Sequence, residues 1–194
     1  MPAKQKLILT VLYLIVTLFG SPVVYSLNLN PISADHWDKN HAAHLASRAG
    51  LATQLYHVSF RNNAFDTHVQ QPNLHRRLLS YASDAIFGFV NDLQRLGHAD
   101  RVLVMVYSEF GRRVPENANL GTDHGSANNM FFIGNRVNGG HYGVLPSLVN
   151  LIDSGNLAFT TDFRQVYATA IEDWLKVDSK KVLKGTFERF PILT

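Results

Sequence analysis

Between Leu55 and Tyr107 the chain alternates strand, long helix and strand, and this order restricts the fold more than any other feature. The helix spans Leu74 to Leu96, where Leu74, Leu78, Ala82, Ala85, Ile86, Phe89, Val90, Leu93 and Leu96 recur at the period of one buried helical face. Gly97 follows as its expected C-cap. Ahead of the helix, Leu55 to Phe60 (LYHVSF) reads as a short strand closed by Arg61-Asn62-Asn63. After it, Arg101 opens the uninterrupted apolar run Val102 to Tyr107, the pattern of a strand buried on both faces of a parallel sheet. A βαβ unit of this kind has a right-handed crossover and parallel strands, whose C-terminal ends share one edge of the sheet. Open α/β sheets bind their ligands at that edge.

Both strands run there into polar sequence: Asp66-Thr67-His68 after the first, and Ser108-Glu109-Phe110-Gly111-Arg112-Arg113 after the second. A third polar loop, Gly121-Thr122-Asp123-His124-Gly125, is flanked by glycines that let backbone turn tightly around a ligand. Met130 to Ile133 reads as a third short strand, and Gly134 to Gly143 as a Gly/Asn-rich loop. Thr161 or Asp162 caps a helix whose buried face is Phe163, Val166, Tyr167, Ala170, Ile171 and Trp174. A short Lys-rich helix and an apolar tail, Phe187 to Leu193, end the chain.

Carboxylates and imidazoles together suit a divalent ion such as zinc or manganese. Such an ion can polarise a phosphoryl or sulfuryl oxygen. Asp66 and His68 can converge on one ion, Asp123 and His124 form a second pair, and Glu109 adds a carboxylate. The competing reading of either pair is a turn with an exposed histidine. Arg112 and Arg113 read as an oxyanion fork, or as salt-bridge partners of Glu109 or Glu116. His36, His41, His44 and His75 read as solvated helix faces rather than a second metal site, and His57 as a packed or hydrogen-bonded strand residue. Ser108, Thr122 and Ser126 are the candidate oxygen nucleophiles, and no sequence context singles one out.

Composition sets the outer bounds. With 194 residues and 46% hydrophobic content the chain can bury a core of its own. A net charge of +3 without a Lys/Arg stripe excludes a nucleic-acid groove. Cysteine is absent, which removes disulfides, thiolate ligands and a Cys nucleophile. Lys4 and Lys6, the apolar run Leu7 to Phe19 and Gly20-Ser21-Pro22 have the layout of an export leader, with cleavage expected before Leu27. The competing reading is an uncleaved anchor from Leu7 to Tyr25, through which alone the chain would meet a membrane. The expected layout is therefore 1–26 leader or anchor, 27–44 helical lead-in and 45–194 folded domain, outside the cytoplasm.

Phe65-Asp66-Thr67-His68, Ser108-Glu109-Phe110-Gly111-Arg112 and Gly121-Thr122-Asp123-His124-Gly125, in that order and spacing, resemble the domain-of-unknown-function 1501 family. The similarity continues through Gly139-Gly140, Thr161-Asp162-Phe163 and Glu172-Asp173-Trp174-Leu175, covering residues 45 to 193. That family is grouped with alkaline phosphatases, sulfatases and cofactor-independent phosphoglycerate mutases. The resemblance implies an α/β fold with a mixed, largely parallel sheet flanked by helices, alkaline-phosphatase-like, and divalent metals at the strand ends. It implies Asp66, His68, Glu109, Asp123 and His124 as metal ligands, and the anion contact expected beside them is Arg112. Where the superfamily carries an Asp-His pair this chain has Glu109-Phe110, and the glycine run expected before Phe65 is Arg61-Asn62-Asn63-Ala64. Family members are about twice this length, so the expectation is the C-terminal part of the domain, without the half that holds the nucleophile. The implied activity is metal-dependent hydrolysis of phosphate or sulfate esters, small or polymer-borne. The rival expectation is a non-catalytic extracytoplasmic binding or scaffold module that keeps the fold.

Overall fold

The computed structural model describes residues 12–17, 55–60 and 64–194. Four strands form the main sheet: β1 (Leu12–Thr17), β2 (Leu55–Val58), β3 (Leu103–Ser108) and β6 (Phe131–Ile133), in the order β2-β1-β3-β6. Two further strands, β4 (Gly111–Arg112) and β5 (His124–Gly125), pair as a separate ribbon. Helix α1 covers Gln71–Arg95, α2 covers Phe163–Thr169 and continues as a π-helical turn over Ala170–Trp174, and α3 covers Ser179–Leu183.

The fold is mixed α/β, but the largely parallel sheet expected above is not what forms. Every adjacent pair is antiparallel: β1 with β2, β1 with β3, and β3 with β6. The reason is β1, drawn from the apolar run expected to be a leader. It lies between β2 and β3 and reverses direction twice across the sheet, so those two strands still point the same way without touching. The rest of residues 1–26, the lead-in 27–44 and His36, His41 and His44 lie outside the described residues, and the leader or anchor reading stands on sequence alone. Among the described residues no helix is long and apolar enough to cross a membrane.

The core sits between α1 and the sheet. Phe89 and Leu93 of α1 pack with Tyr56 of β2 and with Val102, Val104 and Val106 along β3, with Ile86 and Ile133 at the margin. Leu103 and Met105, on the alternate face of β3, are equally buried. Burial on both faces, foreseen from the apolar run, therefore holds although the pairing is antiparallel. At the end of β3 the Tyr107 ring meets Tyr167 of α2 edge-on at 5.8 Å. A smaller cluster, Phe65, Leu78 and Ala82 with Phe60, closes the N-terminal half of α1.

Helix ends follow their local chemistry. Gly97 takes φ 71°, with the Gly97 amide on the Gln94 carbonyl and the His98 amide on the Leu93 carbonyl. These two bonds are those of a Schellman cap. Asp162 caps α2 by accepting from the Arg164 amide at 2.9 Å, which settles the choice between Thr161 and Asp162.

Because Phe89 is 1% exposed and Phe87 is 70% exposed on the same helix, the two phenylalanines should respond oppositely to truncation. Phe89→Ala is expected to cost about 3–5 kcal/mol and Phe87→Ala less than about 0.5 kcal/mol, as read from urea unfolding midpoints.

Candidate metal centre

The site begins where the chain leaves the small core. Phe65 is held by the edge of the Phe60 ring at 5.1 Å and by His75 of α1 at 5.5 Å, so the next residues are projected from a fixed point. Thr67 is buried and receives the Gln71 side-chain amide on both its carbonyl (2.9 Å) and its hydroxyl (3.0 Å). The Thr67 hydroxyl in turn lies 3.1 Å from His75 Nδ1. Burial, then the charge of Arg112, holds His75 below its ordinary pKa, consistent with a neutral ring accepting from Thr67. His75 is thus a supporting residue of the loop, where the sequence reading had a solvated one. His57, expected to be packed or hydrogen-bonded, is exposed on β2 but is not without a partner there, and burial holds its pKa below the ordinary value.

The second loop is fastened to the first by side chains with no obvious motif. Gln71 accepts at Oε1 from the Thr122 hydroxyl at 2.8 Å. Asn117 donates to the His68 carbonyl (3.2 Å) and to Asp123 Oδ1 (3.2 Å), and its own oxygen accepts from the Asn119 and Gly121 amides. The amides of Gln70 and Gln71 donate to the Asn119 and Leu120 carbonyls, which holds Gln70 at φ 46° as the helix begins. Gly121 has no room for a side chain, since a Cβ there would lie 2.2 Å from the His68 carbonyl oxygen. Gly111 is equally obliged, with a Cβ at 1.6 Å from the Ala127 oxygen.

Three donor atoms converge where these loops meet. Asp66 Oδ1 lies 2.6 Å from His124 Nε2 and 2.9 Å from His68 Nε2, and the two imidazole nitrogens are 3.0 Å apart. Among the described residues these three side chains form the one His/Asp/Glu group close enough to share an ion. All are partly open, with side-chain exposures of 26%, 39% and 33% for Asp66, His68 and His124. Burial acts to raise the Asp66 pKa, but the hydrogen bonds and charges of His124 and His68 together outweigh it and hold the carboxyl below its ordinary value.

The remaining expected ligands fall outside this triangle. Asp123 is exposed and meets the other side of His68, with Oδ1 at 3.4 Å from Nδ1. Its carboxyl is held low first by the Asn117 hydrogen bond, with His68 and Arg113 adding to it against the raising effect of burial. Glu109 is exposed at the end of β3 and is not part of the triangle. Phe110, the next residue, stacks its ring on His124.

Arg112 is not poised as a free anion contact. Its two terminal nitrogens donate to the Thr122 carbonyl at 2.6 Å and the Phe65 carbonyl at 2.5 Å, tying both ligand loops together. The candidate nucleophiles are engaged as well. Ser108 donates to the Phe110 carbonyl, Thr122 to Gln71, and Ser126 to the Leu157 carbonyl.

An α/β scaffold with an Asp/His/His triangle between glycine-bearing loops defines a candidate metal-binding domain. The family model described as "Protein of unknown function (DUF1501)" matches residues 39–187, and the chain belongs to that family. No curated protein and no solved structure matches it.

The low Asp66 carboxyl pKa has a definite consequence for pH dependence. A depressed folded-state pKa stabilises the fold above the ordinary carboxylate pKa, and that stabilisation is lost as pH falls through the depressed value. In a carbon-detected NMR titration of metal-free protein, Asp66 is expected to titrate below about 3.9. His124→Ala should move its midpoint upward, since His124 is the strongest lowering partner. An unmoved midpoint would contradict the contact.

Proposed function

We propose that this chain is a divalent-metal-binding domain, with Asp66 Oδ1, His68 Nε2 and His124 Nε2 as the ligand atoms. The observation that carries the reading is a conflict that protons cannot resolve while Asp66 is ionised, the state its lowered pKa favours. For Asp66 to accept from both rings, both Nε2 atoms must carry hydrogen, and two such donors then face each other at 3.0 Å. If either Nε2 is bare, one of the two contacts to the carboxylate sets lone pair against lone pair. A shared cation removes the conflict, because all three atoms then offer lone pairs to it. Tetrahedral zinc sets neighbouring ligand atoms roughly 3.3 Å apart; the two nitrogens lie at 3.0 Å, and the Asp66–His124 pair, at 2.6 Å, would open as an ion enters. The donor set therefore fits a divalent ion of the zinc or manganese type.

The surrounding residues support this assignment. Asp123 beside His68 Nδ1 is placed to accept that N–H, which leaves Nε2 as the ligating nitrogen. We therefore propose Asp123 as an orienting carboxylate rather than a ligand, and Glu109 as neither. Three protein ligands with partial exposure leave positions open to an external oxygen. Within the proposal, a bound ion would supply Lewis-acid polarisation of a phosphoryl or sulfuryl oxygen. Hydrolysis of phosphate or sulfate esters is the activity this supports, in an extracytoplasmic setting if the N-terminal run directs export.

A second reading is a non-catalytic binding or scaffold module that keeps the metal site. It is favoured by the engagement of the Ser108, Thr122 and Ser126 hydroxyls, since hydrolysis would then need water or a group from elsewhere as nucleophile.

Calorimetry with zinc and with manganese tests the shared premise. Wild type should bind, Asp66→Ala, His68→Ala and His124→Ala should lose binding, and Asp123→Ala should weaken it by about 10–100-fold. Glu109→Gln should bind like wild type. Absence of binding by wild type would refute the metal reading. Metal-dependent turnover of aryl phosphate or sulfate esters would favour the enzyme, and its absence in metal-loaded protein the scaffold.

A further inference from the structure

Phe110 stands where the resemblance leads one to expect a ligand, and its geometry gives it a different task. The ring lies 3.6 Å, centroid to centroid, from the His124 imidazole, with only 15° between the planes. Its backbone is clamped as firmly as any in the site. The Phe110 carbonyl accepts from the Ser108 hydroxyl at 3.0 Å and from the Asn128 side-chain amide at 2.8 Å. Arg112, itself fixed on the Phe65 and Thr122 carbonyls, sets its guanidinium carbon 5.0 Å from the Phe110 ring centroid. His124 is therefore located by a stack that runs through Phe110 to Arg112, in addition to its own short ribbon strand.

We propose that Phe110 is a positioning residue for the metal centre, fixing the ring plane of His124 so that Nε2 faces Asp66 and His68. This rests on the metal-binding reading above. Two physical effects act in the same direction. A parallel aromatic face 3.6 Å away blocks rotation of the imidazole out of the ligand plane. An imidazole that shares a cation through Nε2 is electron-poor, and the negative face of a benzene ring stabilises it. Stacking thus contributes more to the loaded state than to the empty one. That difference separates positioning from ordinary packing, which would stabilise both alike. Phe110 is only partly buried and belongs to neither of the two main core clusters, so its replacement leaves those clusters intact.

The test compares Phe110→Leu and Phe110→Met, which keep bulk without a π face, with Phe110→Tyr, which keeps the face. For each full-length protein, zinc affinity is measured by calorimetry and metal-free stability by thermal unfolding. The nitrogen shifts of the His124 ring are followed by NMR. Leu and Met are expected to weaken zinc binding about tenfold, and Tyr to stay within about twofold of wild type. The His124 ring shifts should move in Leu and Met alone. If wild type binds zinc and Leu and Met bind within about twofold of it, the positioning role is overturned while the metal centre stands. It is equally overturned if Tyr weakens binding as much as Leu. If wild type takes up no zinc, the metal reading fails, and the positioning role with it.

Discussion

The contact between Gly121 and the His68 carbonyl is the constraint on which the site depends. His68 and His124 lie 56 residues apart in sequence, yet their Nε2 atoms meet at 3.0 Å. The loops carrying them touch backbone to backbone only because position 121 has no side chain. Gln71, Asn117 and Arg112 then lace the two loops with side-chain hydrogen bonds to main-chain carbonyls and hydroxyls. Each such bond is worth about 1 kcal/mol net, but leaving the buried Gln71 amide unpaired would cost more than making the bond gains. Convergence of the donors is thus paid for during folding.

Much of this was legible in the sequence, for identifiable reasons. The helix from Leu74 onward and the Val102 to Tyr107 strand announce themselves through period and burial, and both form. Asp66 and His68 follow from their place after a strand on the polar edge, and His124 joins them through the family resemblance. Asp123 and Glu109 share the same expectation, and the structure leaves them outside the three-residue cluster because composition cannot say where a side chain points. Asp123 and His124 are consecutive residues, yet their side chains take different partners. His124 then turns to Asp66, while Asp123 reaches the far nitrogen of His68. Beyond β3, Phe110 is the residue whose ring reaches His124, and Glu109 remains exposed. Gln71, Asn117 and the clamp made by Arg112 went unnoticed because their acceptors are mostly backbone carbonyls, which every residue offers and no motif marks.

The parallel sheet failed for a different reason. A six-residue apolar run has the same composition whether it is the middle of a leader, part of an anchor or a buried strand. Leu12–Thr17 serves as the strand, and it supplies the whole ladder along β3 from Leu103 to Ser108 as well as that along β2. The inference that β2 and β3 run in the same direction survives, because two antiparallel steps restore the direction.

That one segment has two incompatible uses gives the fold and the export question a common physical basis. Cleavage before Leu27 would remove β1, and residues 12–17 held in a bilayer could not also pair with β2 and β3. In either case the facing edges of β2 and β3 would carry unpaired amides and carbonyls in the middle of the sheet. They would have to close on each other, as parallel neighbours, or accept a strand from elsewhere. The Asp66/His68/His124 triangle is less exposed to that choice. Its loops are fixed on α1, on the β4–β5 ribbon and on one another through Gln71, Asn117 and Arg112, and none of those contacts involves β1. The triangle's own hydrogen bonds are thus made without β1, and a change in the fate of the N-terminal run falls first on the sheet.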